Sequence, residues 1–145
     1  MRRTLSAVLL ALLAACSSST GPTTDLRVQT AQRVYGWDAN GVVAVAFTVT
    51  NQTSAEVALA SCGGTPAAML QRRDGSRWVT VASGICPAVL DMAPLRLAPG
   101  ATATGMVEVH NTAGTFRIGL PHPELSSESP RATSPTFEVW AQLPD

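Results

Sequence analysis

The chain has 145 residues, a mass of 15.1 kDa and three cysteines, room for one ordinary domain and not for two. Charged residues make up only 14%, and ten basic side chains balance ten acidic ones at a formal net charge of zero. All ten basic residues are arginines dispersed without a basic run, which argues against nucleic acid, since phosphate binding calls for a concentrated basic surface.

The chain opens on MRRTLSAVLLALLAAC, where Arg2 and Arg3 supply a positive start and Ala7 to Ala15 form an unbroken apolar run of nine residues. A span of the hydrocarbon core needs about 20 apolar residues, so residues 1–15 are predicted to be a signal peptide and not a membrane helix. The stretch Leu13-Ala14-Ala15-Cys16 resembles the lipobox of bacterial lipoproteins, in which cleavage precedes the cysteine and its sulfur receives a diacylglycerol group. The resemblance implies lipidation at Cys16 and a domain held to the cell envelope by its acyl chains. The competing reading is an ordinary secretory signal cut at a nearby A-x-A-like site. Serine at position 17, in place of aspartate, resembles the sorting signal that sends lipoproteins of two-membrane bacteria to the outer membrane. Residues 16–24 then comprise the lipidated Cys16 and a flexible spacer, SSSTGPTT, too polar to bury surface. The domain proper is assigned to 25–145. Eight arginines against ten acids give the mature chain a formal charge of −2.

With Cys16 committed to lipid, Cys62 and Cys86 remain as an even pair in an exported protein and are expected to form a disulfide. Closing that 25-residue loop stabilises the domain by about 3.5 kcal/mol on the chain-entropy expression. A redox pair is usually C-x-x-C and zinc wants three or four closely spaced ligands, and neither pattern is present.

From residue 25 onward no helical period is found, whereas short β-branched runs punctuated by glycine and proline recur. Residues 26–34 alternate, with Leu26, Val28 and Val34 on one face. Asp38-Ala39-Asn40-Gly41 reads as a turn. VVAVAFTVT, 42–50, is apolar on both faces for most of its length, as a strand in the middle of a sandwich would be. Asn51 to Ser54 breaks it; Asn51-Gln52-Thr53 formally matches a glycosylation acceptor, but a bacterial lipoprotein signal favours a plain turn. Glu56 to Ser61 alternates, Gly63-Gly64-Thr65-Pro66 is a turn, and Ala67 to Arg73 and Arg77 to Ala82 flank Asp74-Gly75-Ser76 as a hairpin. The segment from Cys86 to Pro94 is read as irregular. Strands follow at Thr102 to His110 and Gly114 to Leu120, then a long loop at 121–135, then a last strand from Thr136 to Leu143.

This pattern predicts an all-β fold, an immunoglobulin-like antiparallel β-sandwich of about seven to nine strands. The segments FTVTNQT, LAPGATATGMVEV and GTFRIGL resemble those of the Ig-like accessory domains of bacterial surface proteins. Where an antibody-type domain places a tyrosine this chain has Phe116, with no cysteine after it, so an antibody-type inter-sheet disulfide is not implied.

Catalytic chemistry finds few candidates. His110 and His122 stand outside any metal or catalytic spacing; His122-Pro123-Glu124 offers two ligands without a third. No G-x-S-x-G elbow or phosphate loop exists, Ser83-Gly84-Ile85-Cys86 reads as a loop, and Glu108, Glu138 and Asp91 are isolated. The chain is therefore expected not to be an enzyme, and to hold no metal or cofactor. Of Trp37, Trp78 and Trp140, Trp140 is singled out as a partner contact, because alternation sets it opposite Phe137 and Val139. Any concave site is expected to come from the loops 84–99 or 121–135. The function expected is a membrane-anchored, non-catalytic binding or structural module of the cell envelope, with a protein or envelope polymer as partner. The alternative rests on a resemblance of small Ig-like bacterial domains to the intracellular proteinase inhibitor family, which implies a regulator of an extracytoplasmic enzyme.

Overall fold

The computed structural model describes residues 25–83, 93–122 and 130–141. The signal peptide, Cys16, the spacer, Cys86, Asp91, Glu124 and the end of the last expected strand lie outside the described residues. Every regular element described is a strand. In chain order these are β1 (Leu26–Thr30), β2 (Val34–Gly36), β3 (Val42–Asn51), β4 (Val57–Leu59), β5 (Ser61–Cys62), β6 (Thr65–Pro66), β7 (Met69–Asp74), β8 (Arg77–Ser83), β9 (Leu95–Leu97), β10 (Thr102–His110), β11 (Gly114–Leu120), β12 (Ala132–Thr133) and β13 (Phe137–Trp140).

One sheet has the order β1-β3-β10 and the other β2-β13-β11-β7-β8, with β12 added to β11. Small ladders, β4-β9 and β5-β6, lie apart from these two sheets. The chain is thus all-β, with mostly antiparallel sheets closing on one core as a sandwich. Phe47, Val45 and Val49 of β3 meet Phe116, Ile118 and Leu120 of β11 and Phe137 and Val139 of β13 in that core. Tyr35 and Phe137 touch edge to face at 5.5 Å, and Phe116 stacks on Phe137 at 5.9 Å. Such aromatic pairs add to area burial.

The number of strands exceeds the expected seven to nine because long apolar runs break when they change partner. Residues 26–36 do so first: β1 pairs antiparallel with β3, then the chain bends at Ala31 and β2 joins the other sheet. There it runs parallel to β13, an exception to the all-antiparallel expectation. The bend also reverses the alternation. Val34, assigned inward with Leu26 and Val28, is 40% exposed, and Tyr35 is buried in its place. A slip of one residue swaps the faces of a strand.

β3 was expected to be apolar on both sides. It alternates instead, with Val43, Val45, Phe47 and Val49 buried and Ala44 and Ala46 exposed. Alanines make the run look two-sided although its sheet keeps one face to water. The β7–β8 hairpin forms as expected around Gly75-Ser76, where Gly75 alone has positive φ (58°), the pattern of a type II′ turn. Gly63 and Gly64, both at positive φ, close the small hairpin β5-β6 as a type I′ turn demands. Two further strands lie where none was assigned. β9 pairs with β4, and β12 pairs with β11 inside the segment read as a long loop. Both are too short for an alternating pattern to register in the sequence.

Candidate interaction surface

The outer face of the larger sheet is set by its register. Thr115 pairs with Glu138, Arg117 with Gln71, Gln71 with Thr80, Arg73 with Trp78, and Trp140 with Gly36. Their neighbours along each strand, Phe116, Ile118, Leu70, Phe137 and Val139, point into the core. Alternation therefore sends Trp140, Glu138, Thr115, Arg117, Gln71, Arg73 and Trp78 to the same outer side.

Trp140 is 47% exposed there while Phe137 and Val139 are buried. Its neighbour Glu138 accepts a hydrogen bond from the Thr115 hydroxyl at 2.8 Å. At the centre Arg117 lies over the Trp78 ring, 4.3 Å from its centroid, and its Nε donates to Gln71 Oε1 at 2.9 Å. Gln71 Nε2 in turn donates to Thr80 Oγ1 at 3.3 Å, so this buried amide has partners on both sides. Partial burial lowers the Arg117 pKa from its usual value; the group remains a cation at neutral pH. The side chain is held in a fixed orientation by a ring below and an amide beside it. Nothing in the sequence pairs Trp78 with Arg117, 39 positions away; only the order β11-β7-β8 does.

The remaining sequence candidates do not gather at one place. Cys62 is disulfide-bonded. His110 Nε2 and Glu108 Oε2 meet at 3.1 Å on the exposed side of β10, a surface contact of small energetic value. His122 is exposed at the start of a loop. Trp37 is partly buried against the core, with its Nε1 buried and without a hydrogen-bond partner among the described residues. No group of three His, Cys, Asp or Glu is assembled among the described residues.

A cleft of about 280 Å³ opens between the edges of the two sheets, lined by residues that include Cys62, Pro66, Leu70, Ala82, Met106 and Glu108. The loops 84–99 and 121–135, where a concavity was expected, lie partly outside the described residues, and the lining named here comes from strands and the 67–68 link. The cleft arises because β10 and β8 are both edge strands and leave a gap between the sheets. Glu108 is the one carboxylate in its lining, and the walls are otherwise mainly small or apolar.

No family model matches the chain, and no curated protein matches it. Solved structures do. A mutant β-glucosidase from Listeria innocua in complex with laminaribiose aligns at a TM-score of 0.39 and 10% identity over 81% of this chain. The same organism's β-glucosidase in complex with glucose aligns at 0.37 and 13% over 79%, and without those ligands at 0.38 and 12% over 79%. The chain spans 16% of the length of each. These matches correct the expectation that the chain is not an enzyme: the structures it resembles are those of an enzyme, and the exclusion of catalysis is withdrawn. At such TM-scores and identities no activity and no catalytic residue is carried to this chain.

Proposed function

We propose that the protein is a lipid-anchored, extracytoplasmic module with an immunoglobulin-like sandwich, which binds or organises a component of the cell envelope through the outer face of its larger sheet. The observation that carries this reading is Trp140, a large ring 47% exposed on a flat sheet whose other side is packed core. Tryptophans are costly to leave in water and are favoured anchors at interfaces. The strand order supports the immunoglobulin-like part: β1, β3 and β10 form one sheet, and β13, β11, β7 and β8 the other, the split of a variable-type domain without its fourth strand. On this reading Cys86 is the disulfide partner of Cys62, and Cys16 carries the lipid that sets the module on the outer membrane of a two-membrane host.

Two variants of the full-length protein test it. Changing Cys16 to alanine should abolish incorporation of labelled fatty acid and release the protein from the membrane fraction; wild-type protein found soluble and unacylated would refute the anchor. Trp140→Ala should leave the unfolding midpoint close to the parent's while capture of envelope material falls by roughly tenfold, as at an interface hot spot. Unchanged capture would remove this face from the function.

A further inference from the structure

The fold sets Arg117 beside the arginines of the β7–β8 hairpin. Arg72 and Arg73 of β7, Arg77 of β8 and Arg117 of β11 lie on three adjacent strands of one sheet. None of the four is ion-paired among the described residues, where Arg96 with Glu56 is the one arginine–carboxylate pair. Arg73 and Arg117 share the outer face with Trp78 and Trp140, and Arg77 is exposed at the hairpin end. By alternation Arg72, Arg77 and Asp74 turn to the opposite side, so the outer face carries Arg73 and Arg117 against Glu138 and is locally positive in a net-acidic mature chain. Unpaired cations on a sheet face attract an anion, and a guanidinium fixed by Trp78 and Gln71 gives up little side-chain freedom in binding one.

From strand spacing and rise, Trp140 stands about 12 Å from Arg73 and about 14 Å from Arg117, wider than a single sugar ring. The ground between them is polar, with the Thr115 hydroxyl and the Glu138 carboxylate. A protein partner would call for a contiguous apolar centre, which this face lacks. A sugar ring has an apolar face for an indole, hydroxyls for threonine and carboxylate, and, in acidic polymers, a carboxylate or phosphate for arginine. We infer that the outer face of the larger sheet binds an acidic polysaccharide strand, stacked on Trp140 and held by its anionic groups at Arg117 and Arg73.

This inference rests on the reading that the Trp140 face is the binding face, and the test separates the two. Full-length protein in neutral detergent is titrated with polygalacturonate, with neutral dextran of matched length and with polyglutamate. Binding to polygalacturonate that weakens with rising salt and exceeds binding to both other polymers is expected. Arg117→Gln should weaken it about tenfold, the size of one lost charge-assisted hydrogen bond, and Arg73→Gln should add to that loss. The unfolding midpoint of each variant establishes that the fold is retained; should Arg117→Gln fail to fold, Arg73→Gln carries the test. Unchanged binding in the arginine variants, or polyglutamate binding as tight as polygalacturonate, overturns the inference even when Trp140→Ala still abolishes capture of envelope material. Loss in the arginine variants with none in Trp140→Ala would keep the anionic site and sink the Trp140 reading.

Discussion

Replacing Asn51 by aspartate is expected to destabilise the domain by about 4 kcal/mol or more at neutral pH, a large share of the ~5–15 kcal/mol that holds a domain of ordinary size together. Asn51 ends β3 and is fully buried. Its Nδ2 donates to Ala55 O at 2.7 Å and to Leu97 O at 2.9 Å, and its Oδ1 accepts from Thr53 N at 2.9 Å, with the Thr53 hydroxyl 2.8 Å away. Two carbonyls on one side and an N–H on the other leave a single orientation for the amide. Its backbone is equally engaged, donating to Ala101 O and accepting from Gly100 N. One residue therefore ties the 51–55 turn and β9 by its side chain, and the Pro99-Gly100 turn by its backbone, to the end of β3. A carboxylate is nearly isosteric but sets an oxygen against each carbonyl, with no donor left and its charge buried. The neutral carboxylic acid, with one hydrogen to give, is tolerated better, so its folded-state pKa rises above the unfolded value of about 3.9. A raised carboxyl pKa leaves stability present below the unfolded value and removes it as pH rises through the folded one. Urea midpoints at pH 4 and pH 7 check this: the deficit against the parent should be small at the lower pH and large at the higher. A deficit that is small at both would show the amide to be dispensable. In the folded domain both amide hydrogens of this asparagine are engaged.

The second large effect is expected at Gly105, across the ladder from Phe47. A Cβ built there would lie 2.4 Å from Phe47 Cζ and 2.7 Å from Cε1, while Phe47 itself is 1% exposed in the core. The ring lies across the bare backbone of β10. Two effects of Gly105→Ala oppose each other. Restricting the unfolded chain favours alanine by about 0.4–1 kcal/mol, whereas forcing a carbon into a packed ring costs about 1–3 kcal/mol. The clash wins, and valine should be worse still. Phe47→Leu alone opens space and is destabilising, but combined with Gly105→Ala it should return about 1 kcal/mol of coupling in a double-mutant cycle read from urea unfolding. Gly105→Ala at or above parental stability, or a cycle with no coupling, would show that the ring moves aside freely.

The sequence by itself determined the class of the fold and most of its long strands, because alternation and turn chemistry are local. Gly75 sets its hairpin by a positive φ that only its own residue type supplies cheaply, and β10, β11 and β13 announce their buried faces through residues two apart. Trp140 was legible in the same way, as the odd-phase residue beside Phe137 and Val139. Strand partnership was not legible, since main-chain hydrogen bonds are indifferent to the side chains they join. Hence the break after β1, the parallel step of β2 onto β13 and the two-residue pairing of β12 emerge only in three dimensions. The same holds for Asn51, whose sequence neighbours mark a turn but whose acceptor at Leu97 lies 46 residues away. It holds also for Arg117, set over Trp78 from 39 positions away because the order β11-β7-β8 lays three strands about 5 Å apart. Local periodicity decided what each segment is, and non-local pairing decided what it stands next to.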